Sequence, residues 1–571
     1  MDSTLSHINI TTHESAPSPL EPSINTPASL VRGFTPRRRA VALTLALVVA
    51  AGASSPAVGT AGADSRSANK PFAVDLETAT VAQLDDLLDA HKISSVSLTT
   101  AYINRIKALN TQGPGLNAVR VLNPDALNEA SAADRALRSK GSHGPLLGIP
   151  VIVKDNIDVK GLPTTAGSVA LADSYPKADA PLVAQLRKAG AVILGKANLT
   201  EFANYLTSGM PGGYSSLGGQ VLNAYDTSQT PSGSSAGSGA AASVGFAAVT
   251  IGTETSGSIL SPAYSNSDVG IKPTVGLISR TGIVPIAASQ DTAGPLTRTV
   301  ADAAAELTAV DGTDPQDAAT AANPLGGHDF TKDLSTTALN GARIGVVASQ
   351  VPAAGTDNRT LWDAAITALK ARGTTLLDVT LDTSSQTSTV LSYEFKRDLN
   401  NYLSRLPSNA PMKTLADIIA YNTAHQQQAL KFGQTNALAS QAKDLSAGSA
   451  DTATYNTDRA HDLAISKDRI DSVMAANNLT ALLFANSGSA GIGAKAGYPT
   501  VSVPAGYQAA NRRPFSIAFL GKAWTEPTLI GYAYDYEQAT KLHQPPSTIN
   551  PSLFRCTVVT TSSQSGDSCA P

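Results

Sequence analysis

The stretch PSGSSAGSGAAASVGFAAVTIGTETSGSI, residues 231–259, contains the pattern that decides the predicted fold. A loop dense in Gly and Ser leads into an Ala-rich helix, and the apolar residues 247–251 then predict a buried strand. Flexible linkers share the Gly/Ser composition, but here residues of the kind found in protein cores follow at once. A helix packed against a buried strand in this way predicts the interior of an α/β protein.

Strands and helices alternate on both sides of this stretch. Residues 147–153 (LGIPVIV) predict a short buried strand that ends at Lys154, and residues 181–189 predict a helix followed by a strand at 191–194. From 357 to 483 the chain is more polar and predominantly helical, and we expect this insertion to shape the substrate pocket. The later apolar segments predict a return to the sheet. We therefore expect one α/β domain over residues 72–545.

Three short segments contain residues suited to catalysis. Glycine and small residues at 252–258 allow a tight turn that can aim several backbone N–H groups at one point while presenting Ser258. Lys154 ends an apolar strand, where a lysine is buried only when it is paired or functional. No histidine falls within a recognisable catalytic motif, so a serine hydrolase built on this chain needs another base. A desolvated lysine can serve as that base.

These segments resemble the amidase signature family. The resemblance covers LGIPVIVKDNI at 147–157, ILGKANLTEFA at 193–203, GSSAGSGAAAS at 233–243, GTETSGSI at 252–259 and AGYPTVSVPAG at 496–506. It implies a large central mixed β-sheet with helices on both faces and a helical insertion. Family members usually have an acidic residue in the loop of the nucleophile, and in this chain that residue is Glu254. Leu260 replaces an arginine that is common after the nucleophile. These departures, with SQDTAGP at 289–295, are more similar to peptide-amidase-type members.

The same resemblance implies a catalytic triad and its surroundings. Lys154 matches the base, Ser258 the nucleophile and Ser234 the serine between them. The resemblance also implies a cis peptide bond at Gly233–Ser234 and a contact between Ser234 and the substrate. The oxyanion hole corresponds to the backbone N–H groups of Thr255, Ser256, Gly257 and Ser258. The loop around Met210 matches one that lines the acyl pocket. The expected activity is hydrolysis of a carboxamide C–N bond in a small molecule or peptide, without metal or other cofactor.

Two alternatives remain open from the residues alone. The pattern G-x-S-x-G is centred on Ser235, which would suit an α/β-hydrolase-type esterase. A binding protein that kept the fold but lost catalysis is the non-enzymatic alternative. A formal net charge of −3, with no cluster of Lys and Arg beyond the N-terminal region, argues against a nucleic-acid partner.

The N-terminal 63 residues are expected to be a disordered segment followed by an export signal. Arg37, Arg38 and Arg39 precede an apolar run of the length of a signal peptide, and Ala61-Gly62-Ala63 offers a cleavage site. The two arginines after Pro36 resemble a twin-arginine signal. We expect a secreted protein without stable membrane insertion after cleavage, an uncleaved anchor being the alternative. The Ser/Thr-rich tail, 546–571, contains both cysteines, Cys556 and Cys569, which could form a disulfide.

Overall fold

A computed structural model describes residues 73–139, 144–384, 387–550 and 557–559. All of these residues belong to one compact unit of the chain. The predicted export signal, Cys556 and Cys569 lie outside the described residues. Within the described ranges, every helix is too short or too polar to cross a lipid bilayer.

The architecture is a large mixed sheet flanked by helices, as predicted. The strands of the described residues are β1 Ala73–Asp75, β2 Val119–Leu122, β3 Pro150–Lys154, β4 Val192–Ala197, β5 Tyr214–Ser215, β6 Gly219–Gln220, β7 Val249–Glu254, β8 Val269–Lys272, β9 Thr292–Thr297, β10 Arg343–Val347, β11 Thr375–Val379, β12 Ala481–Ala485, β13 Thr500–Tyr507, β14 Pro514–Leu520 and β15 Thr557–Val559. Eleven of them form the central sheet in the order β11-β10-β12-β14-β13-β8-β9-β7-β3-β4-β2.

The centre of this sheet brings the predicted catalytic segments together. Strands β3 and β7 are parallel neighbours, with Val151 opposite Val249 and Val153 opposite Ile251. Every residue of both strands is buried, as expected for strands that are covered on both faces. Since parallel strands end at the same edge, Lys154 and the residues that follow Glu254 meet there.

Helices flank the central sheet. They are α1 Val81–Asp89, α2 Ser95–Ile106, α3 Ala126–Leu137, α4 Pro181–Lys188, α5 Glu201–Asn204, α6 Ala236–Ser243, α7 Leu260–Ser265, α8 Val300–Val310, α9 Asp357–Ala371, α10 Val390–Arg405, α11 Leu415–Ala424, α12 Gln426–Ala429, α13 Thr435–Gln441, α14 Ala450–Leu463, α15 Arg469–Ala476, α16 Ala490–Ala496, α17 Glu526–Thr540 and α18 Pro546–Ile549. All eight residues of α6 are buried, which explains its small side chains.

The predicted bounds of the helical insertion, 357–483, were too wide. Helix α9 packs on the strands β13 and β14, β11 is the edge strand of the central sheet, and β12 begins before residue 483. The helical segment proper runs from α10 to α15. Strand β11 was missed because an edge strand is partly exposed and carries polar residues such as Thr375 and Asp378, which hide its apolar pattern.

Within its described residues, 546–550 and 557–559, the predicted tail contributes one short helix and one strand. Strand β15 pairs antiparallel with β1, with Val558 opposite Val74. The short helix α18 precedes it, and its Ser547 hydroxyl donates to a carboxylate oxygen of Glu77 at 2.5 Å. The tail therefore contacts the start of the domain through backbone and side-chain hydrogen bonds.

Gly237 in α6 is expected to be intolerant of any side chain. A Cβ atom there would overlap the backbone carbonyl oxygens of Ala118 and Asn198, which are fixed by neighbouring strands and loops. We expect Gly237→Ala to lower the free energy of unfolding by about 3 kcal/mol, the upper range for overpacked cores. The matched control is Gly491→Ala in α16, where a Cβ meets no described atom within 4 Å. Urea unfolding of both variants checks this, and equal midpoints would contradict the packing of α6.

Candidate active site

Lys154 is a lysine without access to solvent at the end of β3. Its side chain is 0% exposed. Its Nζ lies 2.8 Å from Ser234 Oγ, 2.8 Å from Thr253 Oγ1 and 3.2 Å from the carbonyl oxygen of Thr253. The described residues form no ion pair with it at 4.0 Å or less. Three oxygens therefore surround an amine that has no carboxylate in direct contact.

This environment favours the uncharged amine. Burial lowers the pKa of Lys154 to about 7, although the negative charges of Asp291 and Glu254 oppose the shift. A neutral amine has two protons and one lone pair. It can donate to the Thr253 carbonyl and the Thr253 hydroxyl while it accepts the Ser234 proton, so the three neighbours suit a base as well as an ammonium ion.

Ser234 is held by the loop that precedes α6. The peptide bond Gly233–Ser234 is cis, as the family resemblance implied. The N–H of Thr200 donates to the Ser234 carbonyl oxygen at 3.0 Å. Gly233 packs so closely on the Thr200 hydroxyl that a Cβ atom would overlap it. The loop therefore presents the buried Ser234 hydroxyl to Lys154.

Ser258 lies on the turn that follows β7. The N–H of Ser235 donates to the Ser258 carbonyl oxygen at 3.1 Å, which joins this turn to the loop of Ser234. Glu254 Oε2 accepts from the N–H groups of Ile259 and Leu260 at 2.8 and 2.9 Å, so the carboxylate closes the turn. The hydrogen bonds of the described residues do not include one between Ser234 Oγ and Ser258 Oγ.

The backbone of this turn leaves several donors free. The N–H groups of Ser256, Gly257 and Ser258 donate to no atom of the described residues. Gly257 has a φ of +91°, which a residue with a side chain rarely adopts. Neighbouring free N–H groups in a tight turn can bind a negatively charged oxygen. The N–H of Thr255 also donates to no atom of the described residues, and the Thr255 hydroxyl donates to Asp291 Oδ1 at 2.5 Å.

Ser235, the alternative nucleophile, occupies a structural position. Its hydroxyl donates to the Thr253 carbonyl oxygen at 3.0 Å and accepts from the Thr253 N–H at 3.1 Å. The side chain is 0% exposed. None of its hydrogen bonds among the described residues reaches a histidine. The G-x-S-x-G pattern therefore marks a serine that ties the α6 loop to β7.

A cavity of about 370 Å³ reaches Thr253 and Thr255, next to the turn of Ser258, but Lys154, Ser234 and Ser258 are not among its lining residues. Its lining includes the buried residues Asn156, Thr253, Thr255 and Asp291 and the exposed residues Lys177 and Arg405. Met210 is not part of this lining; it is buried in a second apolar cluster with Phe202, Phe395 and Leu403. The described residues contain no group of three or more His, Cys, Asp or Glu side chains that could hold a metal ion.

Comparison with known proteins gives consistent matches over most of the chain. A family model described as Amidase matches residues 97–530. A probable amidase of Arabidopsis thaliana is 38% identical over 492 residues, which cover 83% of this chain and 92% of the relative. The solved structure of native peptide amidase from Stenotrophomonas maltophilia is 41% identical with a TM-score of 0.76, covering 82% of this chain and 98% of that one. A peptide amidase in complex with the competitive inhibitor chymostatin matches with a TM-score of 0.77 and 41% identity, covering 82% and 99% of the two chains.

The fold and these matches define the protein as an amide hydrolase. The chain belongs to the amidase signature family, as its motifs predicted. An enzyme is thereby favoured over the alternative of a binding protein without catalysis.

Two residues of the site were not identified from the sequence, Asp291 and Asn156. Asp291 lies within the motif SQDTAGP, which drew attention only as a family segment. Its Oδ2 accepts from the N–H groups of Ile286 and Ala287, both at 2.9 Å, and burial raises its pKa to about 7. Because its other oxygen accepts from Thr255, Asp291 connects the cavity wall to the turn of Ser258.

Removal of the Asp291 charge is expected to change the pH dependence of hydrolysis. The carboxylate raises the pKa of Lys154, so Asp291→Asn should lower that pKa and extend activity to lower pH. The amide can still donate to Thr255 and accept from the two backbone N–H groups, so the plateau of kcat/KM should fall less than about tenfold. Asp291→Ala removes every acceptor and should cost about 100-fold. The pH profile of kcat/KM measures both; an unchanged acid limb in Asp291→Asn would contradict the coupling.

Proposed function

We propose that this protein is an exported serine amidase in which Ser258 attacks the carboxamide and Lys154 acts as base through Ser234. The observation that carries the proposal is the distance of 2.8 Å between the fully buried Lys154 Nζ and Ser234 Oγ. A lysine placed there without a carboxylate partner is costly for folding unless its neutral form is used. Such a lysine is a suitable base near neutral pH.

The proposed reaction proceeds through an acyl-enzyme. The Lys154 lone pair takes the Ser234 proton, and Ser234 Oγ takes the Ser258 proton as Ser258 Oγ bonds to the carbonyl carbon. The carbonyl oxygen becomes an oxyanion that the free N–H groups at 256–258 bind. Lys154 then returns the proton through Ser234 to the leaving nitrogen, and the C–N bond breaks. Water attacks the resulting ester with the same relay and releases the acid.

The relay requires a hydrogen bond between Ser234 Oγ and Ser258 Oγ, which is not among the hydrogen bonds of the described residues. Catalytic hydrogen bonds are often long without substrate and shorten in the Michaelis complex. Both hydroxyls lie on loops joined by the bond from the Ser235 N–H to the Ser258 carbonyl oxygen. The proposal therefore requires Ser258 Oγ to come within hydrogen-bonding distance of Ser234 Oγ during the reaction.

Peptide C-terminal amides are the proposed substrates. The support is the likeness to peptide amidase structures, one of which binds chymostatin, and a cavity large enough for part of a peptide. The experiment is a panel of peptide amides, aryl amides and fatty amides incubated with the purified protein, with ammonia release as the readout. We expect peptide amides to give the highest kcat/KM. A higher kcat/KM for fatty amides would contradict the proposed substrate class but not the proposed amidase activity.

The export part of the proposal depends on the N-terminal sequence. Arg37 to Arg39, the apolar run and Ala61-Gly62-Ala63 support it. Expression of the full chain in a bacterial host, followed by fractionation and N-terminal sequencing, tests it. A processed form that begins shortly after residue 63 outside the cytoplasm is expected, whereas an intact cytoplasmic chain would contradict export.

A further inference from the structure

Asn156 is a buried residue two positions beyond Lys154 and belongs to the lining of the cavity. Only 2% of the Asn156 surface is exposed. Its Nδ2 donates to Thr253 Oγ1 at 3.0 Å and lies 3.5 Å from the Val284 carbonyl oxygen. The Val284 N–H in turn donates to the Asn156 carbonyl oxygen at 2.8 Å. These contacts fix the side chain in one orientation.

The other end of this amide has no partner. Asn156 Oδ1 is buried and accepts no hydrogen bond from the described residues. Exchanging the amide nitrogen and oxygen would place Oδ1 against the Val284 carbonyl oxygen, where it would be repelled, so the acceptor is the free end. A buried acceptor without a donor destabilises a protein, so a substrate N–H group that reaches it is bound favourably.

The position of this acceptor relative to the base indicates what completes it. Lys154 Nζ and Asn156 Nδ2 both donate to Thr253 Oγ1, so Asn156 is joined to the proposed base through one hydroxyl. In the proposed reaction the carbonyl oxygen of the substrate turns to the N–H groups at 256–258. The leaving nitrogen must turn its lone pair to the proton that returns from Lys154, and its N–H bonds then point elsewhere. An acceptor beside the base can bind one of them.

We propose that Asn156 Oδ1 accepts a hydrogen bond from the N–H of the leaving nitrogen and thereby selects amides over esters. The inference depends on the proposed function of the same site. An ester of the same acyl group offers an oxygen without a proton, so it leaves the acceptor unsatisfied. Sites with a dedicated partner for one substrate group discriminate against analogues that lack it. Asn156 is therefore a specificity-determining residue.

The test compares a peptide amide with the methyl ester of the same peptide. The quantity is kcat/KM, which reports steps up to acylation, so the shared hydrolysis of the acyl-enzyme does not contribute. For Asn156→Ala we expect the amide-to-ester ratio of kcat/KM to fall about tenfold relative to the wild type. Asn156→Asp keeps an acceptor, but its second oxygen faces the Val284 carbonyl oxygen and its charge raises the pKa of Lys154, so both rates should fall. Its amide-to-ester ratio should stay within about threefold of the wild type.

The matched control is Thr253→Val, which removes the hydroxyl that Lys154 and Asn156 share but keeps the Asn156 amide and its contact with the Val284 carbonyl oxygen. It should slow amide and ester hydrolysis by similar factors and preserve the ratio. Thermal unfolding of each variant verifies that it is folded. An unchanged ratio in Asn156→Ala, with both substrates slowed equally, would overturn the inference while leaving the amidase proposal intact. Two other results would instead overturn the proposed function. One is a wild-type protein that cleaves no amide, and the other is a Ser258→Ala variant that still cleaves the amide or the ester.

Discussion

Ser258→Ala is expected to reduce kcat/KM for amide hydrolysis by about 10⁶-fold, to the limit of detection. The hydroxyl forms the covalent bond to the acyl group, and removal of a serine nucleophile alone costs about as much as removal of its entire triad. Ser258 is only 7% exposed and its turn is closed by Glu254, so loss of one oxygen should leave the fold unchanged. Steady-state rates, together with mass spectrometry after treatment with a fluorophosphonate, measure this effect. The wild-type adduct should map to Ser258.

Two neighbouring serines supply controls. Ser238 in α6 is as buried as Ser234, but its hydroxyl donates only to the Ile251 carbonyl oxygen, at 3.0 Å. Ser238→Ala should keep kcat/KM within about threefold of the wild type while it loses about 1 kcal/mol of stability. Ser235→Ala should still be labelled at Ser258. Labelling at Ser235, or turnover by Ser258→Ala at a wild-type rate, would contradict the assignment of the nucleophile.

Lys154→Ala is expected to lower kcat/KM by about 10⁴-fold, the upper range for loss of a general base. In the wild type the same residue should set the acid limb of the pH profile. The neutral amine is the active form, and burial lowers its pKa to about 7, so activity should fall as the pH falls through about 7 and reach a plateau above it.

A second buried lysine, Lys272, serves as a control that shows whether any buried lysine can set the acid limb of the pH profile. Burial lowers the pKa of Lys272 to about 8, but its Nζ donates to the Tyr498 carbonyl oxygen and not to Ser234. We expect Lys272→Met to destabilise the fold without moving the acid limb. A profile of the wild type that stays flat between pH 6 and 9, or an acid limb that moves with Lys272→Met, would show that another group controls the reaction.

The motifs of the sequence predicted the central strands of the sheet and the three proposed catalytic side chains, but not the edge strand β11. Each of Lys154, Ser234 and Ser258 lies in a short segment of recognisable composition, and β3 and β7 are continuous apolar runs. Their proximity arises from parallel pairing of strands far apart in the chain, which local pattern does not encode. The family resemblance supplied that information.

Other parts of the site could not be predicted because their roles arise only in the folded structure. Asn156 lies two residues after Lys154 in the motif, yet its free acceptor is evident only when Val284 and Thr253 are seen to bind the opposite end of the amide. Ser235 matched a catalytic pattern but forms structural hydrogen bonds. Met210 was assigned to the acyl pocket by resemblance, and its burial among aromatic residues of α10 depends on long-range packing.

The charge state of Lys154 is the claim on which the mechanism depends, and direct titration measures it. Protein labelled with ¹³C at the lysine ε carbon can be titrated by NMR, with the Lys154 signal identified by its absence from Lys154→Ala. We expect its chemical shift to change with a midpoint near pH 7, well below the value of about 10.4 for a lysine in water. A Lys154 amine that remains protonated above pH 9.5 would contradict its role as the base.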